Sequence, residues 1–208
     1  MRDGIGIAAR PPQPRKWIAV VFFLSGFAAL IYQVVWQRSL YALFGINVES
    51  VTLVVTAFLL GIGVGSLLGG IVSRSPRPIV WFAVAEGAVG IYGLFSLELF
   101  QAVSARIITA PEYVIGTVIV ALLIVPTVLM GMTLPLLVSS EVRRIPETAR
   151  AVGLLYFVNT AGSACAAAAT VILLLPLLGE QRSVYCAAAL NLAAASFVMM
   201  QVVRRNAA

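Results

Sequence analysis

The stretch WIAVVFFLSGFAALIYQVVWQRSLYALF, residues 17–44, is an almost unbroken apolar run near the start of the chain. A helix of about 20 mostly apolar residues is long enough to cross the hydrocarbon core of a bilayer. The run therefore predicts a transmembrane helix. Gln33, Trp36 and Arg38 carry polar groups inside this run, where such groups are energetically costly, and they are candidates for a functional role.

The composition of the chain indicates the same class of protein. Of its 208 residues, 61% are hydrophobic and 11% are charged, whereas soluble domains are about half apolar and about one quarter charged. Histidine is absent and the single aspartate is Asp3, which excludes the usual zinc sites, calcium loops and Ser-His-Asp triads. We expect an all-α integral membrane protein that is not an enzyme and holds no metal and no cofactor.

Five further apolar segments of spanning length follow the first, separated by short stretches rich in glycine, proline and charged residues. The expected architecture is a six-helix transmembrane domain at 17–203, between an N-terminal tail at 1–16 and a C-terminal tail at 204–208. The predicted spans are 17–44, 50–72, 79–100, 113–138, 151–178 and 184–203.

Basic residues are concentrated on one side of the predicted membrane. Eleven of the fourteen lysines and arginines fall in the two tails or in the connectors after the second and fourth spans. The positive-inside rule then predicts that both termini are cytoplasmic, here at a bacterial-type inner membrane. Because this asymmetry explains the net charge of +6, we expect the lipid bilayer, and not nucleic acid, as the partner of these charges.

Small residues form a stripe on the second span, where Gly61, Gly65 and Gly69 recur every four residues. Such stripes let helix backbones approach closely in lipid, so we interpret these glycines as packing positions. A surface that slides during conformational change would use the same stripe, and the pattern does not separate the two interpretations.

The fourth span contains Pro126, Gly131 and Pro135 within ten residues. Proline removes a backbone donor, so this helix is predicted to be kinked or deformable. Cys165 and Cys186 also lie in apolar runs, and we interpret them as small buried thiols. A close approach of the two cysteines on neighbouring helices is the alternative.

Three polar side chains are predicted to lie deep in the hydrocarbon. Glu86 is about 10 Å and Asn159 about 12 Å from the inner boundary, and Asn191 is about 10 Å from the outer one, at about 1.5 Å of rise per residue. An ionisable residue at this depth is a functional candidate, and Glu86 could carry a proton. A neutral Glu86 that only hydrogen-bonds a neighbouring helix is the structural alternative.

The outer part of the first span combines aromatic and polar side chains. Tyr32 and Trp36 are four residues apart and share a helix face, with Gln33 beside it and Arg38 near the outer interface. Aromatic rings could bind a cation, and Arg38 could bind a carboxylate. Interfacial anchoring of the rings and snorkelling of Arg38 to lipid headgroups remain the alternatives.

Four motifs resemble the membrane portion of the fused major facilitator/spermidine synthase family. They are SGFAALIYQVVWQRSL, PTVLMGMTLPLL, GLLYFVNTAGS and LLLPLLGEQRS, and the pattern of Glu86, a glycine and Tyr92 resembles the third span of that family. The likeness covers residues 24–196 in order. The soluble aminopropyltransferase domain of the family has no counterpart in the chain, so polyamine synthesis is not expected of it.

The resemblance implies one half of a major facilitator fold, whose two six-helix halves are related by an axis along the membrane normal. We therefore expect a parallel homodimer that transports a small substrate, with a polyamine-like cation suggested by the family. Glu86 would supply proton coupling or a counter-charge, although the third helix of such folds is usually peripheral. The substrate-binding residues expected on this basis are Tyr32, Gln33, Trp36, Arg38, Tyr156 and Asn159.

A membrane scaffold without transport is the second hypothesis. It would hold a separate, soluble synthase-like enzyme through the connector at 139–150 and the tail residues Arg204 and Arg205. The connector after the second span also resembles the corresponding major facilitator loop, but Ser73 and Pro76 replace its aspartate and glycine. The charge relay attributed to that loop is therefore not expected to carry over.

Overall fold

The computed structural model describes residues 15–44, 48–107, 109–142 and 148–207 of the chain. Throughout these ranges the regular secondary structure is helical. The helices are α1 (Lys16–Phe44), α2 (Val48–Val72), α3 (Pro78–Ile107), α4 (Glu112–Val142), α5 (Thr148–Ala169) and α6 (Leu175–Ala207), and a single π-helical stretch (Thr170–Leu174) joins the last two.

The described residues contain five helical segments that are long and apolar enough to cross a membrane. The count is therefore five and not the predicted six, because the fifth and sixth predicted spans are joined in a single long segment, Ala149–Asn206, which is bent at Gly179. α3 is also longer than predicted at its C-terminal end, and α6 continues through the residues predicted as a tail. The all-helical fold class is confirmed.

α1 is the central helix of the bundle. It packs mainly against α5 and α6, while α2 packs mainly against α4, and α3 packs against α6 and α4. The buried side chains form two apolar clusters stacked along the bundle. The Trp36 cluster includes Tyr32, Phe58 and Phe100, and the Phe22 cluster includes Phe22, Phe82, Leu137, Leu155 and Val198.

The long C-terminal segment is bent at Gly179, whose φ of 73° and ψ of −179° are not helical. A straight helix of 58 residues would measure about 87 Å, nearly three times the thickness of a bilayer core. Leu155 and Val198 both lie in the Phe22 cluster, whereas Ala166 and Val184 both lie in the Trp36 cluster. The chain therefore runs along the bundle before Gly179 and back along it afterwards.

The glycine stripe of α2 faces α4. A Cβ atom on Gly61 would overlap Thr127, one on Gly65 would overlap the backbone at Val128, and one on Gly69 would overlap the backbone at Met132. By contrast, a Cβ atom on Gly63 would meet nothing within 4 Å. These contacts hold the backbones of α2 and α4 close together.

α4 remains helical through both of its internal prolines, Pro126 and Pro135. Each proline lacks the N–H that would bond to the carbonyl four residues earlier, which here belongs to Leu122 and to Gly131. The Tyr92 hydroxyl donates to the Leu122 carbonyl at 2.6 Å. The Ser66 hydroxyl donates to the Gly131 carbonyl at 3.2 Å. Side chains of α3 and α2 thus replace the missing backbone bonds.

The two cysteines differ from the sequence interpretation, since Cys165 and Cys186 are both exposed free thiols. The physical reason is that a surface in contact with lipid is as apolar as a protein core, so an apolar neighbourhood does not imply burial in the protein.

Candidate functional site

A layer of polar side chains separates the two apolar clusters. On α1, Ser25 lies between Phe22 of one cluster and Ala28 of the other, and on α3, Glu86 lies between Phe82 and Val89. Asn159 on α5 and Asn191 on α6 occupy the same intermediate level between cluster residues of their own helices. We call Ser25, Glu86, Asn159 and Asn191 the polar layer.

The polar layer borders a cavity of about 200 Å³. All six helices contribute to its walls, and the apolar side chains around it include Leu30, Phe58 and Met130. A cavity with apolar walls and a few converging polar groups is the common form of a small-molecule site. Its polar lining residues are Ser25, Gln33, Ser66, Glu86, Thr133, Tyr156, Asn159, Ser163 and Asn191.

Glu86 is the acidic group of this cavity, and its side chain is almost completely buried, with 2% of the residue exposed. The Ser25 hydroxyl donates to Glu86 Oε1. The second oxygen, Oε2, is buried and has no hydrogen-bond partner in the described part of the chain, and the same is true of Asn191 Oδ1. Among the described residues that line the cavity, none is a lysine or an arginine.

These unpartnered atoms define the chemistry that the site accepts. Buried polar atoms in proteins nearly always have a hydrogen-bond partner, and each exception requires an explanation. Glu86 Oε2 and Asn191 Oδ1 are both acceptors when the carboxyl is ionised. The polar layer therefore contains two unsatisfied acceptors, which suit a ligand that supplies N–H groups or a proton.

The residues around the cavity support the binding of a metal ion less well than the binding of an N–H donor. Within the described ranges, no group of three or more Cys, Asp or Glu side chains lies close enough together to hold a metal ion. The unpartnered oxygens of Glu86 and Asn191 number two, fewer than the roughly six to eight oxygens of a typical calcium site.

The structure brings four of the predicted site residues together. Gln33, Glu86, Tyr156 and Asn159 come from α1, α3 and α5 and all line the cavity. Tyr156 is 62% exposed and stands at the mouth of the cavity. Their assignment to substrate binding stays a prediction.

Tyr32 and Trp36 lie in the Trp36 cluster and do not line the cavity. Their rings stack with centroids 4.6 Å apart, and both residues are fully buried. The indole Nε1 of Trp36 donates to the Ser96 hydroxyl at 2.9 Å. The Tyr32 hydroxyl packs against Gly93 and has no hydrogen-bond partner within the described residues.

Arg38 lies outside the cavity, at the end of α1 that adjoins the Gly179 kink. Its Nε atom donates to Glu180 Oε1 at 2.9 Å. The side chains of Arg38 and Glu180 are 66% and 32% exposed. A protein carboxylate is thus the partner of this guanidinium in the structure.

Close packing of α1 against α5 positions the polar layer, and the sequence reasoning did not identify the residues responsible. A Cβ atom on Gly26 would overlap Asn159, and one on Gly162 would overlap the backbone of Phe23. The Ser163 hydroxyl donates to the Gly26 carbonyl at 3.0 Å. The sequence signal for this contact was the presence of small residues in both SGFAA of α1 and NTAGS of α5, because small residues mark close helix contacts in lipid.

The end of the bundle where α1 begins carries several arginines. Arg15, Arg77, Arg204 and Arg205 all line one groove there, and we call this the basic end. Arg15 is ion-paired with Glu141 of α4 at 2.6 Å, and the Glu141 side chain is buried. The backbone N–H of Arg15 also donates to Glu141 Oε2 at 3.1 Å.

Comparison with known proteins finds a partial similarity. No family model matches the chain, and no solved structure matches it. The chain is 26% identical over 214 residues to a Streptomyces coelicolor protein named polyamine aminopropyltransferase 1. The match covers 98% of this chain and 39% of that protein. The chain thus spans well under half the length of this relative, and the similarity supports a partial relation to spermidine synthase-like proteins.

Proposed function

We propose that the chain is a membrane-embedded half-transporter that acts as a parallel homodimer and moves a small cation bearing amino groups. The observation that carries this proposal is the buried carboxyl of Glu86, which has no basic side chain among the described residues of its cavity. An isolated carboxylate is strongly disfavoured in an apolar interior. It is stabilised by a proton or by a cation that enters from outside.

The polar groups of the cavity suit an ammonium group. Glu86 Oε2 and Asn191 Oδ1 lack hydrogen-bond partners among the described residues, and each can accept an N–H bond from an ammonium group. The apolar side chains around them suit the methylene chain of an aliphatic amine. Exchange of the amine for a proton on Glu86 would couple transport to the proton gradient.

Polyamines are the proposed substrate class within the amines. This step rests on the similarity to part of a protein named polyamine aminopropyltransferase 1. It also agrees with the apolar walls of the cavity. A volume of about 200 Å³ holds one end of such a molecule, and the remainder would extend through the mouth.

The mouth of the cavity supports the homodimer. Ile62 of α2 and Tyr156 of α5 line the cavity and are also exposed, so the cavity opens on the surface between these two helices. Leu67 and Phe157 extend the exposed apolar area on either side. A second copy placed on this surface by a two-fold axis would close the mouth and double the number of polar groups around one central site.

The orientation remains part of the proposal. The gathering of Arg15, Arg77, Arg204 and Arg205 at one end of the bundle supports a cytoplasmic basic end under the positive-inside rule. The proposed location is a bacterial-type inner membrane, with both termini on the cytoplasmic side.

Uptake of radiolabelled putrescine by proteoliposomes tests the transport proposal. We expect uptake that depends on an imposed proton gradient and that is lost in Glu86→Gln. Glu98→Gln is the matched control, because Glu98 lies on the same helix and is exposed, and it should transport normally. Equal uptake by both variants, or no uptake by the wild-type protein in correctly oriented vesicles, would refute the proposal.

Cross-linking tests the homodimer separately. In a background with Cys165→Ser and Cys186→Ser, cysteine introduced by Tyr156→Cys should give dimers with a short bifunctional maleimide. Cysteine introduced by Phe95→Cys is the control, because Phe95 is 60% exposed on α3, away from the cavity mouth. Cross-linking at Phe95 but not at Tyr156 would place the interface on another face.

A membrane anchor for a synthase-like enzyme is the second candidate function. The extent of the sequence similarity favours this function, because the segment similar to this chain occupies only 39% of a longer protein named as an aminopropyltransferase. Its proposed docking surfaces are Arg204 and Arg205 with the connector at 139–150, of which residues 143–147 lie outside the described part of the chain. Co-purification of a soluble aminopropyltransferase, with no putrescine flux, would favour this function over transport.

A further inference from the structure

The groove at the basic end is separate from the cavity at the polar layer. It measures about 870 Å³ and lies where α1 and α3 begin and α6 ends. Arg77, Arg204 and Arg205 contribute guanidinium groups to it, and all three residues are exposed. None of the described residues that line it is acidic.

The charge available in this groove comes from two helices. Arg15 also lines the groove, but its charge is already matched by Glu141. Arg77 directly precedes the first residue of α3, so the positive end of that helix dipole adds to its charge. Arg204 and Arg205 lie in the last turns of α6. The planar guanidinium groups of arginine bind phosphate oxygens in pairs, so the groove favours a phosphate-bearing anion.

Apolar side chains form the rest of the groove. Ile79 and Val80 in the first turn of α3 and Val202 of α6 line it beside the arginines. Trp17 of α1 lies in the same groove, with its ring 5.7 Å from that of Phe197 and the Arg15 guanidinium 4.9 Å above it. Tryptophan beside basic residues at the end of an apolar helix is typical of the membrane–water interface.

We propose that this groove binds the headgroup of an anionic phospholipid, with the phosphate on Arg77, Arg204 and Arg205 and an acyl chain along Ile79, Val80 and Val202. The arginines alone would suit any phosphate, and the apolar strip beside them is what favours a lipid. Basic pockets between helices at the cytoplasmic side of a membrane are a known way to recognise such headgroups. The inference rests on the membrane location in the proposed function, but not on transport.

Quenching of Trp17 fluorescence by brominated lipids measures occupancy of the groove. The full-length protein carries Trp81→Phe, because Trp81 is 48% exposed and would also be quenched, whereas Trp36 is fully buried. In mixed vesicles we expect brominated phosphatidylglycerol to quench Trp17 at lower mole fraction than brominated phosphatidylcholine. The double variant R204Q/R205Q should reduce this preference by more than about tenfold, since each arginine near an anionic surface contributes appreciably to binding.

The matched control is R106Q/R182Q, which removes the same charge from exposed positions outside the groove and should keep the preference. Equal preference in both double variants would overturn the proposal. Displacement of the lipid by inorganic phosphate at equal concentration would assign the groove to a free phosphate, and displacement by polyglutamate with no preference among lipids would assign it to an acidic protein segment. Both results also overturn it.

The same vesicles distinguish this inference from the proposed function. Glu86→Gln should keep its preference for phosphatidylglycerol even where putrescine uptake is lost. Preserved lipid preference without any uptake in the wild-type protein would overturn transport alone. Failure of the protein to insert into vesicles of either lipid would overturn both.

Discussion

The Tyr92 hydroxyl of α3 donates to the Leu122 carbonyl of α4, which is the backbone acceptor left free by Pro126. Ser66 of α2 plays the same role for the Gly131 carbonyl, which Pro135 leaves free. A free carbonyl is especially unfavourable where no water can reach it. Two neighbouring helices therefore allow α4 to contain two prolines and remain helical.

Tyr92→Phe should destabilise the bundle because it removes the donor and keeps the ring. The expected loss is about 0.5–2 kcal/mol, the range measured for hydrogen bonds between helices in membranes. Thermal unfolding in detergent, followed by tryptophan fluorescence, measures the effect. Tyr113→Phe is the control, since Tyr113 is 76% exposed at the start of α4, and its melting temperature should not change. Equal melting temperatures for the two variants would show that another donor satisfies Leu122.

Gly65→Ala should separate α2 from α4. Its Cβ would overlap the backbone at Val128 and Gly131, and overpacking of this kind costs about 1–3 kcal/mol. Gly63→Ala on the same helix meets nothing within 4 Å, and it should be neutral or stabilise by up to about 1 kcal/mol through its higher helix propensity. A lower melting temperature for Gly63→Ala than for Gly65→Ala would contradict this packing.

The helices could be predicted from sequence because each is an apolar run long enough to cross a bilayer, and such runs have few alternatives. The path of the chain between the last two predicted spans could not be predicted in this way. The turn expected around 179–183 is helical from Glu180 onward, and only Gly179 leaves the helical region. Burial was also hidden, because helices that are apolar on all sides have no distinct polar face. For this reason the exposure of Cys165 and Cys186 could not be predicted from the sequence.

The candidate site was predictable to the extent that polar groups are rare in apolar helices. Gln33, Glu86, Tyr156 and Asn159 line one cavity although they are far apart in sequence. Trp36 was ambiguous, because an aromatic ring with one donor fits an interface or a core equally well. In the structure, the indole N–H of Trp36 donates to Ser96 inside the core. No local sequence pattern around Ser96 indicated this hydrogen bond.

The two described ion pairs should differ in their contribution to stability. Glu141→Gln breaks a pair in which one side chain is 2% and the other 22% exposed, and the expected cost is about 3 kcal/mol, at the low end for buried pairs. Glu180→Gln breaks a pair in which the side chains are 66% and 32% exposed, and roughly 0–1 kcal/mol is expected. Melting temperatures at low and high salt test this contrast. Only the Arg38–Glu180 pair should respond strongly to salt, and equal destabilisation by the two variants would contradict the assigned burial.

Gly179→Ala should destabilise the bend inside α6, although the packing around Gly179 gives no reason to expect this. A Cβ atom there meets nothing within 4 Å, so crowding is not the cause. The φ of 73° and ψ of −179° fall in a region that is essentially restricted to glycine, and a side chain there costs about 1–3 kcal/mol.

Gly153→Ala is the matched control for Gly179→Ala, because its Cβ also meets nothing within 4 Å while its φ is not positive. It should be neutral or slightly stabilising. The strain at position 179 would be relieved if the segment straightened, which would pull Val198 out of the Phe22 cluster and weaken the Arg38–Glu180 pair. A Gly179→Ala protein with the wild-type melting temperature would show that the chain reverses by a different backbone conformation.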